Sequence, residues 1–138
     1  MGLDWGHTFQ GSSMADQKLK LGIAGLGRGF SVMLPTLALH PQLDVVAAVD
    51  TRRAALDQFE ADFGGTAYQS VEAMCAQPGL DAVYVATPHQ FHAEHTEIAA
   101  QAGKHILVEK PMALTIEDCT RMIDAAAAAR VHLLVAHS

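Results

Sequence analysis

The chain has 138 residues, of which half are apolar and 17% are charged, and its formal net charge is -6. This composition is typical of one folded globular domain and excludes a disordered chain. The acidic balance, with Arg52-Arg53 as the only pair of adjacent basic residues, also excludes an extended surface for nucleic acid.

Cysteine usage and hydropathy together indicate a cytoplasmic protein that does not contact a membrane. Cys75 and Cys119 stand far apart with no metal-ligand spacing, as is usual for thiols in a reducing compartment. No apolar run approaches the length of a membrane span. Residues 1–17 mix Gly, Ser, Trp, His and Asp without periodicity and lack the layout of a signal peptide, so we predict a disordered extension there.

From Lys18 onward, short apolar segments alternate with segments of helical periodicity. Because the apolar segments show no alternation with polar residues, they predict a parallel sheet that helices cover on both faces. We therefore predict a single doubly wound α/β domain of the Rossmann type over residues 18–138. The predicted strands are Leu19–Ala24, Leu43–Val49, Asp81–Ala86, His105–Val108 and Val131–Val135.

The helices are predicted from apolar residues at helical spacing and from capping residues at their ends. We expect Thr51 to cap the helix after the second strand and Gly64-Gly65 to end it. Thr115 and Asp118 predict a capped start for the last helix. The positions expected to be buried in three of the helices are Phe30, Met33, Leu34 and Leu37, then Leu56, Phe59 and Phe63, and finally Ile116, Cys119, Ile123 and Ala127.

The first segment with residues suited to ligand binding is the glycine-rich turn between the first strand and the first helix. Gly25 suits a tight turn, and Gly27 would let the backbone approach a pyrophosphate at the helix start, where free N–H groups favour anions. Phe30 stands where the dinucleotide-binding fingerprint has its third glycine, and Gly29 comes one residue early, so we expect looser packing there. The candidate cofactor-binding residues of this turn are Gly25, Gly27, Arg28, Gly29 and Phe30.

Asp50 ends the second strand, where a carboxylate can accept both ribose hydroxyls of adenosine and repels a 2′-phosphate. This placement favours NAD. Two alternatives stay open: Asp50 could cap a helix, and Arg52 or Arg53 could pair with a 2′-phosphate, which would admit NADP. Thr51 and Arg52 join Asp50 as candidate cofactor-binding residues.

Thr87 and Pro88 end the next strand at the same predicted edge, and the following turn can offer backbone groups and His89 to the cofactor. His89, His92 and His95 raise the alternative of a metal site, because imidazoles at this spacing on a helix can share an ion. No cysteine or carboxylate cluster with ligand spacing accompanies them, so we predict that these histidines do not form a metal site. We interpret His92 as a turn residue hydrogen-bonded to the backbone and His95 as partly buried.

Glu109-Lys110-Pro111 follows the fourth predicted strand. A lysine there can hydrogen-bond the nicotinamide ribose and a substrate hydroxyl, and its charge would help that hydroxyl lose a proton as hydride leaves. The alternative is a surface lysine at a junction of strand and loop, and the segment taken alone favours this alternative.

Together, these segments resemble the Gfo/Idh/MocA oxidoreductases. The resemblance depends on Gly25-Leu-Gly27 after a strand, on Asp50-Thr-Arg52 and on Thr87-Pro88 with His92. Its most specific part is residues 103–115, Gly-Lys-His-Ile-Leu-Val-Glu-Lys-Pro-Met-Ala-Leu-Thr. The resemblance covers residues 18–138, which correspond to the family's N-terminal domain.

The resemblance implies that the chain carries NAD or NADP and that a second α/β domain supplies a catalytic histidine and most contacts to a small-molecule substrate. It implies further that Lys110 is the catalytic lysine and that the peptide bond before Pro111 can be cis. The complete protein would form a homo-oligomer through the second domain, and this chain alone would bind cofactor without turnover. The residues that would line the nicotinamide side are Thr87, Pro88, His89 and Glu109, although the family often has asparagine at position 89.

Within the family, Gly27-Arg-Gly-Phe30, Met33-Leu-Pro-Thr36 and the final residues 136–138 are similar to a subgroup that includes phthalate 4,5-cis-dihydrodiol dehydrogenases. Such enzymes oxidise a ring cis-diol to a catechol. An alternative of another class is a non-catalytic Rossmann module that senses a dinucleotide. That module would keep the glycine turn and Asp50 but would need no lysine at the nicotinamide.

Overall fold

The structure of the chain is a computed structural model that describes residues 17–137. The extension predicted for residues 1–17 therefore lies, apart from Gln17, outside the described residues and stays a prediction. None of the helices described in residues 17–137 is both long enough and apolar enough to cross a membrane.

Six strands of the described part of the chain form one sheet, and every neighbouring pair is parallel. They are β1 (Leu19–Ala24), β2 (Leu43–Val49), β3 (Thr66–Tyr68), β4 (Ala82–Val85), β5 (His105–Glu109) and β6 (Leu133–Ala136). Their order across the sheet is β3-β2-β1-β4-β5-β6. The order in which strands are added to the sheet reverses between β1 and β4, and doubly wound sheets bind ligands at this switch point. The predicted Rossmann architecture is confirmed.

Within the described residues, five α-helices connect the strands, and a 3₁₀ turn at His89–Phe91 precedes the fourth. Two apolar clusters, one on each face, join the helices to the sheet. Every residue of β4 is buried, as expected for a strand that is covered on both sides. The helices are α1 (Arg28–Leu39), α2 (Arg53–Phe63), α3 (Val71–Cys75), α4 (His92–Gln101) and α5 (Ile116–Ala129).

The predicted apolar faces of α1 and α2 are confirmed. Phe30 and Leu37 of α1 are buried, as are Leu56 and Phe59 of α2. Gly64 ends α2 in the left-handed conformation, with a φ of 68°. These contacts fix both helices on the face of the sheet that also carries Tyr84.

The predicted buried face of α5 is wrong. Met122 and Ala126 are buried and Cys119 is half-buried, whereas the apolar Ile116 and Ile123 are 82% and 54% exposed. The expected position Ala127 is exposed as well. Five consecutive alanines at the end of this helix are compatible with several helical faces, so packing against α4 and the sheet selects the buried one.

Two local predictions also differ from the structure. Thr51 does not cap α2, because the N-cap is Arg52 and the helix has no side-chain cap. The Asp50 carboxylate holds the Arg52 N–H at 2.8 Å, which lengthens the turn before the helix by one residue. The short edge strand β3 was not predicted, because three residues are too few to show an alternating pattern.

Candidate cofactor site

A cleft of about 680 Å³ lies at the carboxyl edge of the sheet, over the switch point between β1 and β4. This volume is typical of a ligand pocket. The structure brings together in this cleft all of the predicted site residues except Phe30. They are Gly25, Gly27, Arg28, Gly29, Asp50, Thr51, Arg52, Thr87, Pro88, His89, His92, Glu109 and Lys110.

The glycine turn has one crowded side and one open side. Gly25 has a φ of 94°, and a Cβ there would lie 2.7 Å from the carbonyl oxygen of Ala86, so neither its backbone nor its surroundings accept a side chain. A Cβ on Gly27, in contrast, would meet no described atom within 4 Å. Gly27 is also the N-cap of α1 and provides no side-chain cap, so the first N–H groups of the helix are available to an anion.

Gly29, in the first turn of α1, makes the close approach that the fingerprint assigns to its third glycine. A Cβ on Gly29 would lie 3.0 Å from Cγ of Glu109 at the end of β5. Phe30 points the other way: it is buried and its ring packs against Phe63, with centroids 6.2 Å apart. The Phe30 side chain therefore belongs to the core and does not line the cleft, and the looser packing expected at this turn stays a prediction.

Asp50 connects the end of β2 to the glycine turn. One carboxylate oxygen accepts the Leu26 N–H at 2.8 Å, and the other accepts the Arg52 N–H at 2.8 Å. The Arg52 guanidinium also contacts both oxygens, at 3.1 and 3.2 Å. Because Asp50 contributes no bond to the helical N–H groups of α2, the alternative that it caps this helix is wrong.

These contacts determine the ionisation of Asp50. Burial alone would raise the pKa of the Asp50 carboxyl, but the hydrogen bonds from Arg52 and from the Leu26 N–H, together with the Arg52 charge, outweigh it and hold the pKa below its usual range. Asp50 is therefore a carboxylate at neutral pH. Both of its oxygens already have donors, so a ribose hydroxyl can bind only by displacing the exposed Arg52 guanidinium.

His92 joins two of the loops that border the cleft. It is fully buried as the first residue of α4. Its Nε2 lies 2.8 Å from the carbonyl oxygen of Thr87, and its Nδ1 lies 2.9 Å from that of Pro111. The predicted hydrogen bonding of His92 to the backbone is confirmed, and it ties the turn after β4 to the turn after β5.

His95 lies one helical turn further and is half-buried. Its Nδ1 is 2.9 Å from the Thr87 hydroxyl, and its ring stacks on Phe91. Burial lowers the pKa of His95, which favours the neutral ring. Residues 17–137 contain no group of three His, Cys, Asp or Glu side chains placed to hold a metal ion.

The turn after β5 presents Lys110 to the cleft. The Lys110 N–H donates to Oε2 of Glu109 at 3.1 Å. The peptide bond between Lys110 and Pro111 is cis, as the family resemblance implied. Glu109 is half-buried, and its other oxygen accepts the hydroxyl of Tyr84 at 2.7 Å.

Sequence reasoning missed Tyr84 and a second lobe of the cleft. The only signal for Tyr84 was a phenol inside an otherwise apolar strand. The second lobe, about 440 Å³, shares Asp50 and Thr87 with the first lobe and extends between β2, α3 and α4. It could not be predicted because α3 and α4 are distant in the sequence and meet only in the folded chain. Its further lining residues include Gln69, Ser70, Val71, Glu72, Phe91, Glu94 and His95.

Comparison with known sequences identifies the fold's relatives. The Gfo/Idh/MocA profile, described as an oxidoreductase family with an NAD-binding Rossmann fold, matches residues 19–137. The 1-carboxy-3-chloro-3,4-dihydroxycyclo hexa-1,5-diene dehydrogenase of Comamonas testosteroni is 50% identical over 121 residues, which are 87% of this chain and 30% of that protein. The 1,5-anhydro-D-fructose reductase of Ensifer adhaerens is 47% identical over 53% of this chain and 22% of its own length. The chain thus spans less than a third of these relatives.

Solved structures give the same result. The WlbA dehydrogenase from Bordetella pertussis, in complex with NADH and UDP-GlcNAcA, superposes with a TM-score of 0.83 and 37% identity over 88% of this chain and 35% of that chain. The scyllo-inositol dehydrogenase from Lactobacillus casei, with bound NAD(H) and scyllo-inositol, has a TM-score of 0.80 and 28% identity over 86% of this chain and 36% of that chain. The chain therefore belongs to the Gfo/Idh/MocA family of oxidoreductases and has the nicotinamide-dinucleotide-binding Rossmann fold of that family.

Proposed function

We propose that this chain binds NAD(H) across the cleft as the cofactor domain of a dehydrogenase. The pyrophosphate would lie at Gly25 to Gly29 and the adenosine ribose at Asp50. The observation that carries the proposal is the open side of Gly27, which adjoins the uncapped start of α1. A diphosphate fits there because it is an anion and needs close approach to main-chain N–H groups.

Charge in the adenosine half supports NAD rather than NADP. Asp50 is ionised there, and Glu72 and Glu94 line the second lobe of the cleft. Arg52, the cation that could meet a 2′-phosphate, is paired to Asp50. A 2′-phosphate would therefore meet these carboxylates, and their repulsion would oppose its attraction to the Arg52 guanidinium that the ribose displaces from Asp50.

Lys110 is the residue that we assign to catalysis. NAD bound in the cleft would supply the acceptor for a hydride from a substrate carbon. The Lys110 ammonium would hydrogen-bond the hydroxyl on that carbon and stabilise the developing alkoxide, and the proton would pass to the second-domain histidine that the family resemblance implies. His92 and Glu109 would hold the main chain on either side of this lysine.

For the substrate we propose a ring cis-diol that is oxidised to a catechol. The name of the Comamonas testosteroni relative describes dehydrogenation of a dihydroxycyclohexadiene that bears a carboxyl group, and this relative is 50% identical to the chain. A carboxylated dihydrodiol is therefore the substrate class to test first. The other walls of the substrate site would come from a region that corresponds to the part of this relative outside the matched residues.

Gly27→Ala tests the proposed cofactor site. The new methyl group would occupy the open side of the turn and keep the pyrophosphate from the N–H groups, so NADH affinity should fall by more than about tenfold, or 1.4 kcal/mol. The added Cβ meets no described atom, so the free energy of unfolding should change by less than about 1 kcal/mol. Calorimetric titration and urea unfolding measure the two quantities.

The same titration with NADPH tests the choice of cofactor. We expect NADH to bind at least about tenfold more tightly, a difference of about 1.4 kcal/mol. If the parent chain and Gly27→Ala bound NADH with equal affinity, the proposed location of the diphosphate at this turn would be wrong. Tighter binding of NADPH than of NADH would overturn the assignment of NAD.

A further inference from the structure

Tyr84 is a fully buried phenol in the middle of the sheet, outside the residues assigned above to the cofactor. Its position in β4 pairs it with Ile23 of β1 and Leu107 of β5. A buried hydroxyl is costly unless it is hydrogen-bonded, because it loses its contacts with water. The partners of the Tyr84 hydroxyl therefore show why a phenol is tolerated at this position.

Both partners of the hydroxyl belong to the border of the cleft. The hydroxyl lies 2.7 Å from Oε1 of Glu109 and 3.2 Å from the carbonyl oxygen of Gly29. A phenol has one hydroxyl proton to donate, so its hydrogen bond goes to the closer carboxylate and the Gly29 carbonyl is a secondary contact. Burial, together with the hydrogen bond to Glu109 and its charge, raises the pKa of Tyr84, so the hydroxyl stays a donor at neutral pH.

The Glu109 carboxylate transmits this contact to the turn that carries Lys110. Glu109 lies two residues beyond Leu107, the pairing partner of Tyr84, and therefore projects from the same face of the sheet. Its Oε2 accepts the Lys110 N–H at 3.1 Å. Its Cγ would lie 3.0 Å from a Cβ on Gly29. The carboxylate thus fills the space between the glycine turn and the main chain of Lys110.

We infer that Tyr84 is a positioning residue for the nicotinamide side of the cleft, an inference that rests on the proposed binding of NAD(H). Tyr84 does not line the cleft itself. It orients the Glu109 carboxylate, which in turn holds the Lys110 main chain at a set distance from the glycine turn. Loss of the hydroxyl should therefore loosen Lys110 without removing the aromatic ring from the core.

Tyr84→Phe and a matched control, Tyr68→Phe, test this inference. Each substitution removes one phenolic hydroxyl and keeps the ring, and the sequence has only these two tyrosines. The Tyr68 hydroxyl donates to Oε1 of Gln77 at 2.6 Å, and neither residue lines the cleft. A difference between the two variants therefore reports on Glu109 and Lys110 and not on the general cost of losing a hydrogen-bonded phenolic hydroxyl.

The first measurement needs no ligand. Hydrogen exchange of the Lys110 N–H, followed by NMR, should become about tenfold faster in Tyr84→Phe, because the acceptor carboxylate is no longer held. Exchange at Lys110 should be unchanged in Tyr68→Phe. Unchanged exchange in Tyr84→Phe would overturn the inference.

The second measurement compares the affinities of the 138-residue chain for NADH and for ADP-ribose, which lacks the nicotinamide ring. The parent chain should bind NADH more tightly, and Tyr84→Phe should reduce the ratio of the two affinities by about fivefold to tenfold. If Tyr84 had a merely structural role, its substitution would weaken the binding of both ligands equally and leave the ratio of the two affinities unchanged. Glu109→Ala should reduce the ratio to the same extent, which keeps the inference testable if Tyr84→Phe does not fold.

The outcomes separate the inference from the proposed function. Failure of the parent chain to bind either ligand would contradict the proposed function, and the exchange measurement would still decide the link from Tyr84 to Lys110. Binding of both ligands by the parent chain with equal affinity, or an unchanged ratio in Tyr84→Phe and Glu109→Ala, would overturn the positioning role.

Discussion

The Asp50 carboxylate is a residue on which both the fold and the proposed site depend. It holds the glycine turn through the Leu26 N–H and the start of α2 through Arg52. In the apo chain these bonds stabilise the carboxylate. In the complex that we propose, the ribose hydroxyls would replace the guanidinium and keep the bonds to the main chain. Arg52 is thus an exchangeable partner, and the main-chain donors are the permanent ones.

The lowered pKa of Asp50 predicts a pH-dependent contribution to stability. A carboxyl with a lower pKa in the folded than in the unfolded chain contributes its full stabilisation above the unfolded pKa and loses it as the pH falls through the folded value. The free energy of unfolding of the parent chain relative to Asp50→Asn should therefore be constant from about pH 7 to 5 and decrease below about pH 4. Urea unfolding over this pH range measures the difference.

Asp57→Asn is the control for this series. Asp57 is an exposed carboxylate that pairs with the exposed Arg53 on α2, so its replacement should change the free energy of unfolding little at any pH. A stability difference for Asp50→Asn that grows as the pH falls would contradict the account given for Asp50.

Residues differ in how far they could be predicted. Asp50 and Lys110 follow directly after strands, so their place on the carboxyl edge could be inferred from the order of the chain. Tyr84 could not be assigned a role, because its partners Gly29 and Glu109 are far away in the sequence. His92 was predicted to bond to the backbone, but the identity of the two carbonyl groups depends on loops that meet only in the folded chain.

At the scale of elements, helix ends were predicted well where a side chain satisfies the free N–H groups. Thr115 caps α5, and its hydroxyl accepts the Asp118 N–H at 3.0 Å. Thr51 failed as a cap because the Asp50 carboxylate already bonds the following turn. The competitor of Thr51 is thus local: Asp50 bonds the Arg52 N–H, and the helix begins only after Arg52.

Thr115→Ala should lower the free energy of unfolding by about 1 kcal/mol, because the Asp118 N–H loses its acceptor. Thr120→Ala is a matched control in the same helix. The Thr120 hydroxyl donates to the Ile116 carbonyl in the helix interior, where alanine has the higher helix propensity, so stability should stay within about 0.5 kcal/mol or rise. Urea unfolding of both variants measures this, and equal destabilisation by both would contradict the capping role.

The whole molecule places loops from different parts of the chain along one edge of the sheet. Parallel strands end on the same side, so the segments after β1, β2, β4, β5 and β6 all reach the cleft. An enzyme and a dinucleotide sensor would both need the glycine turn and Asp50 at this edge. Of the residues brought together there, Lys110 is the one that only the enzyme would need. A test of this distinction by turnover requires a protein of the relatives' full length, because this chain covers 30% of the Comamonas testosteroni relative.

Lys110→Ala in the complete protein should reduce kcat with a carboxylated dihydrodiol by at least about a hundredfold, a typical contribution of acid–base and electrostatic groups. NADH affinity should fall by no more than about tenfold, because only the contact to the nicotinamide ribose is lost and the pyrophosphate and adenosine contacts are untouched. Steady-state kinetics and fluorescence titration measure the two effects. Unchanged turnover would favour the dinucleotide-sensing alternative.

The sequence by itself determined the class of fold and the edge that carries the chemistry. Apolar strands, amphipathic helices and the polar residues after each strand are local features, and the parallel arrangement follows from them. Only the tertiary structure decided which face of α5 is buried, that Gly29 makes the close approach near Phe30, and that Tyr84 reaches Glu109. Each of these depends on contacts between segments distant in the sequence, and such contacts leave no periodic pattern in any one segment.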